Sequence, residues 1–91
     1  MALGIYFALK GMTSATYDEV TKELEAAGAG APKGRSYHSA FGPPNRLMIF
    51  DVWESQSDFD AFGAVLMPIL AKNNVDPGTP DIMPIHNVIK G

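Results

Sequence analysis

The sequence has 91 residues, no cysteine, 46% hydrophobic and 19% charged residues and a formal charge of −3, which suits one small folded domain over residues 1–91 and leaves too little chain for two. Without cysteine, thiolate nucleophiles, cysteine-held zinc or iron–sulfur centres and disulfide frameworks are excluded. The seven basic residues, Lys10, Lys22, Lys33, Arg35, Arg46, Lys72 and Lys90, form no cluster able to track a phosphate backbone, so nucleic acid is not an expected partner.

The run from Met1 to Lys10 has no basic leading segment and is too short to cross a bilayer of about 30 Å as a helix. Neither membrane nor secretion is expected, and a cysteine-free chain suits a reducing cytoplasm. Ala2 to Leu9 is apolar on both alternation sets, as in a strand covered on both faces. Thr13 then reads as a helix cap, with Met12 and Tyr17 placed for a hydrophobic staple. Tyr17, Val20, Leu24 and Ala27 form the apolar stripe of the first helix, its acidic residues lie largely off that stripe, and Gly28 stops it.

After the flexible stretch Gly28–Gly34, Arg35 to Phe41 reads as a short polar strand at a sheet edge. Gly42-Pro43-Pro44-Asn45 is turn chemistry, and Arg46 to Trp53 is a second strand apolar on both faces. Ser55 and Asp58 open a second helix that runs to about Asn73 with Phe59, Phe62, Leu66 and Ile69/Leu70 in helical period. Pro68, helped by Gly63, predicts a kink or break in it. Val75 to Pro80 is a loop, and Asp81 to Ile89 a last strand whose Pro84 belongs at an edge.

The order β-α-β-β-α-β with right-handed crossovers predicts an α+β, ferredoxin-like fold: an antiparallel sheet of strand order 4-1-3-2 with two helices on one face. Helices cover only that face, yet Leu47/Ile49 and Met48/Phe50/Val52 place apolar groups on both. A domain this small buries only roughly 60–65% of its unfolded surface, so a second copy of the sheet is the expected cover.

Gly11-Met12-Thr13 with Tyr17, His38 followed by Gly42-Pro43, Asp51-Val52-Trp53-Glu54-Ser55 with Phe59 and Phe62, Leu66 with Pro68, and Pro84-Ile85-His86-Asn87-Val88 resemble the dimeric α+β barrel superfamily. The likeness is to its small antibiotic-biosynthesis-monooxygenase-like bacterial members. It covers most of the chain and implies a homodimer with a ligand pocket between sheet and helices in each subunit. In such pockets relatives carry out cofactor-free oxygenation of polyketide-like aromatics, haem degradation, or isomerisation of small rings. Trp53 matches the tryptophan of the haem-degrading members, but the second helix has no histidine to stand for their axial ligand, so haem ligation is not carried over.

A bulge-free hairpin over Gly42–Asn45 sets Phe41 opposite Arg46, His38 opposite Ile49 and Ser36 opposite Asp51. The pocket face then carries Ser36, His38, Asp51 and Trp53, and the opposite face Tyr37, Ser39, Phe41, Met48, Phe50 and Val52. The candidate catalytic residues are His38, His86 and Asp51. Histidine as a type titrates near neutrality and suits proton transfer, and a carboxylate beside it can orient the ring. Each has a plainer alternative: a half-solvated edge histidine for His38, a polar residue at the dimer seam for His86, and a strand-end carboxylate paired with Arg35 or Arg46 for Asp51.

The candidate substrate-binding residues are Trp53, which either stacks on a flat ligand or plugs the core, and Ser36, Tyr6, Phe62 and Leu66. Three strand spacings, about 14 Å, separate the two histidines' strands, so no metal site is expected, and no cofactor. Two functions remain open. One is a cofactor-free, monooxygenase-like enzyme acting on a small aromatic or polyketide-like compound. The other is a non-catalytic ligand-binding or stress-associated dimeric module with the same pocket and no competent base.

Overall fold

Strands rich in apolar residues on both faces take the middle of the sheet, because only there are both faces covered. A computed structural model describes residues 2–91; Met1 lies outside the described residues. The central pair is β1 (Leu3–Phe7) and β3 (Met48–Trp53), and the edges are β2 (Arg35–Phe41) and β4 (Asp81–Pro84). The sheet order β2-β3-β1-β4, antiparallel throughout, is the expected 4-1-3-2 read from its other edge.

Helices α1 (Ser14–Ala26) and α2 (Gln56–Lys72) begin where the sequence places their caps: the Thr13 hydroxyl accepts from the Thr16 amide and the Ser55 hydroxyl from the Asp58 amide. Val20 and Leu24 of α1, and Phe59, Phe62 and Leu70 of α2, bury against Ile5, Phe7, Ile49 and Trp53 on one face of the sheet. The helices are tied together at their far ends by Glu23, whose carboxylate accepts from Lys72 Nζ at 2.6 Å and Asn73 Nδ2 at 2.8 Å. The hydrogen bond from Lys72 is the main cause holding the Glu23 carboxyl below its ordinary range, and the same bond raises Lys72. Among the described residues no helix is long and apolar enough to cross a membrane.

Three expectations are corrected. Helix α2 continues through Pro68 without the expected break; Phe59 and Phe62 before the proline and Leu70 after it are all buried, so packing holds both halves in the helix although one backbone bond is lost. The last strand ends at Pro84 rather than Ile89: one further backbone bond follows, from the Ile85 amide to Ala2 O at 2.9 Å, and Val88 and Ile89 beyond it are exposed. The β2–β3 hairpin is paired two residues further along than a tight turn allows, with Phe41 opposite Met48, Ala40 opposite Ile49 and His38 opposite Asp51. The cause lies in the connection: the Arg46 amide closes a turn on Pro43 O, and the buried Leu47 gives its amide to Met12 O instead of to the ladder. An even shift leaves the side chains from Tyr37 to Phe41 on their expected faces.

The face away from the helices carries Tyr6, Met48 and Phe50, partly exposed, with Tyr37, Phe41 and Met83 exposed. The Tyr6 ring lies 6.5 Å from that of Phe41, and its hydroxyl donates to Met48 Sδ at 3.1 Å.

Candidate functional site

A charged residue inside an apolar strand must find partners or raise the free energy of the fold. Asp51, near the end of β3, is 3% exposed. Its Oδ1 lies 2.6 Å from His38 Nδ1 on the neighbouring strand, and its Oδ2 accepts from Trp53 Nε1 at 3.2 Å. Neither Arg35 nor Arg46 pairs with it; Arg46 is exposed in the turn. The two-residue slip of the hairpin is what sets His38 directly across from Asp51.

The outer nitrogen of His38 is also engaged. Tyr17 Oη stands 2.6 Å from His38 Nε2, with the two rings nearly parallel, 7° apart, at 5.9 Å between centroids. With Asp51 ionised, its oxygen only accepts, so the Nδ1 proton of His38 points at it and the bare Nε2 accepts from the tyrosine hydroxyl. Tyr17, His38, Asp51 and Trp53 therefore form one hydrogen-bonded line from the cavity into the core. His38 retains 27% side-chain exposure.

The line ends at a cavity of about 90 Å³ between helices and sheet. Its walls include Phe7, Val20, Leu24, Phe62, Leu66 and Leu70, with Tyr17, His38, Asp51 and Arg35 among the polar residues. Phe62 and Leu66 thus take their expected places. Trp53 does not line the cavity: fully buried, it packs on Phe59 at 5.6 Å and Phe62 at 5.3 Å between ring centroids, the core plug of the two alternatives.

Three candidates are not brought to the site. Ser36 sits at a bulge where the register shifts between Arg35 and Tyr37; it is exposed, bonded to Val52 O at 3.4 Å, and Arg35 pairs with Trp53 in its stead. The extra residue breaks the alternation and turns Arg35 to the helix side. Gly34 precedes it at φ +88°, where a Cβ would collide with the Asp58 carboxylate, so this entry to β2 requires glycine. Tyr6 lies on the open sheet face. His86 is exposed beyond the end of β4.

Two contributors escape sequence reading. Tyr17 occupies the apolar stripe of α1, where its ring reads as core; only the crossover of α1 above β3 brings its hydroxyl to β2. Arg35 is hidden by the bulge, which no residue pattern announces, although a glycine directly before a strand is a weak signal of such an irregularity.

Several solved structures resemble this one over nearly all their length. SnoaB, a cofactor-independent oxygenase from Streptomyces nogalater, superposes with a TM-score of 0.63 at 14% identity, covering 99% of this chain and 96% of its own. A candidate antibiotic biosynthesis monooxygenase from Deinococcus radiodurans gives 0.64 at 12% identity, covering 99% and 97%. Another from Chloroflexus aurantiacus gives 0.63 at 15%, covering all of both chains. This chain has their fold. The resemblance read from the sequence holds at that level, and identities this low carry it no further. No protein-family model matches the sequence, and no curated protein matches it.

Proposed function

We propose that this protein is a cytoplasmic, monooxygenase-like enzyme that binds a small hydroxylated aromatic in the cavity and removes a proton from it through Tyr17 and His38. The observation that carries this reading is the Tyr17–His38–Asp51 line opening into an apolar cavity. Asp51 holds the His38 ring so that Nε2 faces the cavity side, the role an orienting carboxylate plays in a hydrogen-bonded base. The ligand hydroxyl donates to Tyr17 Oη while Tyr17 passes its own proton to His38 Nε2. The electron-rich ring anion then reduces dioxygen: a phenol and dioxygen give a quinone and water, one oxygen atom entering the ring and the other leaving reduced. The likeness of fold to a cofactor-independent oxygenase supports this chemistry.

One observation favours the second reading, a binding module without turnover: His38 Nε2 is already engaged by Tyr17, so a base that acts directly has no free nitrogen. Oxygen uptake with a panel of hydroxylated single-ring aromatics separates the two. The enzyme consumes oxygen, and His38→Gln lowers the rate about 10²- to 10⁴-fold with the fold intact. Binding without any uptake by the unaltered protein overturns the enzyme and leaves the module.

The same reading takes the protein as a homodimer, with a second copy laid on the open face of Tyr37, Phe41 and Met83. Light scattering at micromolar concentration is expected to give twice the 9.8 kDa of one chain, and Phe41→Lys to shift the mass toward the monomer. A monomer in the unaltered protein refutes the dimer.

A further inference from the structure

The cavity has one cation among its lining residues, and the bulge puts it there. In an unbroken strand Arg35 would share the open face with Tyr37; with Ser36 bulged out it faces the helix side, across from Trp53. Its Nη2 donates to Gly30 O at 3.2 Å, and its guanidinium carbon sits 5.7 Å from the centroid of the Phe62 ring, itself part of the cavity wall. These contacts hold the group in place and leave most of its five donors uncommitted. Among the described residues the ion pairs are His38–Asp51 and Lys72–Glu23, so no carboxylate neutralises Arg35. Asp51, the lone carboxylate of the lining, has both oxygens engaged and does not compete for a ligand.

Size adds a second restriction. At about 90 Å³ the cavity is smaller than the roughly 150 Å³ void that takes up a benzene ring. A single ring with one end toward the mouth suits this volume better than a fused multi-ring molecule. With Ser36 bulged out, Arg35 and His38 stand across from Trp53 and Asp51, two positions apart and about 7 Å along the strand. A single ring with polar groups on opposite sides spans that distance.

We infer that the ligand is a compact aromatic acid of one ring, its carboxylate on the Arg35 guanidinium and its ring against Leu24, Phe62 and Leu66. A planar carboxylate matches the guanidinium fork with two parallel hydrogen bonds, which a neutral amide of the same shape cannot reproduce. Recognition of the acid rests on the cavity being the ligand site of the proposed function, but not on turnover there.

Benzoate and benzamide, equal in shape and different in charge, test this by titration of the whole protein followed through the methyl signals of Leu24, Leu66 and Leu70. Benzoate is expected to bind about tenfold more tightly than benzamide or better. Arg35→Gln should bring the two affinities together by weakening benzoate alone, and Arg35→Lys should keep part of the difference. His38→Gln should leave the difference intact, so a loss of oxygen uptake and a loss of acid recognition are read separately. Equal affinities in the unaltered protein, no binding of benzoate, methyl shifts confined to leucines outside the cavity, or a preference that survives Arg35→Gln would each overturn the inference.

Discussion

Asp51→Ala is expected to destabilise the protein by about 3 kcal/mol, because it leaves two donors, Trp53 Nε1 and His38 Nδ1, facing a space that holds no acceptor. The two losses are unequal. Trp53 is 0% exposed and has no route to water, whereas the His38 side chain is 27% exposed and recovers part of its loss from solvent. A domain of this size has on the order of 5–10 kcal/mol in total, so the change should move the urea midpoint by a large fraction of its value. An unchanged midpoint would show that Asp51 is not the acceptor for either group. Asp51→Asn is the sharper chemical probe. Its oxygen can accept from Trp53, but its amide then points hydrogens at His38 Nδ1 and drives the ring proton to Nε2. His38 would donate to Tyr17 instead of accepting from it, and proton transfer from the cavity would stop. Nitrogen-15 spectra of the imidazole report that tautomer directly, and oxygen uptake is expected to fall to about the level of His38→Gln.

How far the sequence shows this site depends on the kind of signal each part leaves. Element order, the central pair Leu3–Phe7 and Met48–Trp53, both helix caps and the edge character of β2 follow from local patterns, and all are present. The face shared by His38, Asp51 and Trp53 is also legible, because alternation survives an even slip of register. What cannot be read is set by contacts distant in the chain. Leu47 leaves the ladder for Met12 O, and that sets the slip; the Tyr17 hydroxyl reaches His38 across 21 positions of sequence. Ser36 and Arg35 exchange places through one bulge, whose only trace is Gly34. His86 was eligible only so long as the final strand reached Ile89, and the strand stops at Pro84 with one more bond from Ile85.

Trp53→Ala should cost about 3–5 kcal/mol, the range for removing a large aromatic from a core. The indole fills the space between Phe59 and Phe62 of α2 and the sheet, so its loss opens a void that flanking backbone, held in the central strand, cannot close. It also leaves Asp51 Oδ2 without its donor. Thermal unfolding should place this variant at the margin of foldedness at ambient temperature, whereas Trp53→Phe, which keeps most of the volume and loses the donor, should retain a cooperative transition at lower temperature. If the two variants melt together, the hydrogen bond to Asp51 outweighs the packing. The Asp51 and Trp53 losses share one contact, so the double variant should be less damaged than the two single effects added.

Because the bulge lies between Arg35 and Tyr37, the two ends of β2 are governed separately: the turn dictates where His38 lands, and the bulge dictates which neighbour of Ser36 looks inward. Deleting Ser36 would restore simple alternation with Arg35 still across from Trp53, whereas deleting Arg35 would hand that position to Ser36; in both cases the downstream half keeps its partners. A strand wired in this way lets the residue across from Trp53 be exchanged by a single-codon deletion without moving His38 from Asp51, a separation that gives the scaffold room to diversify.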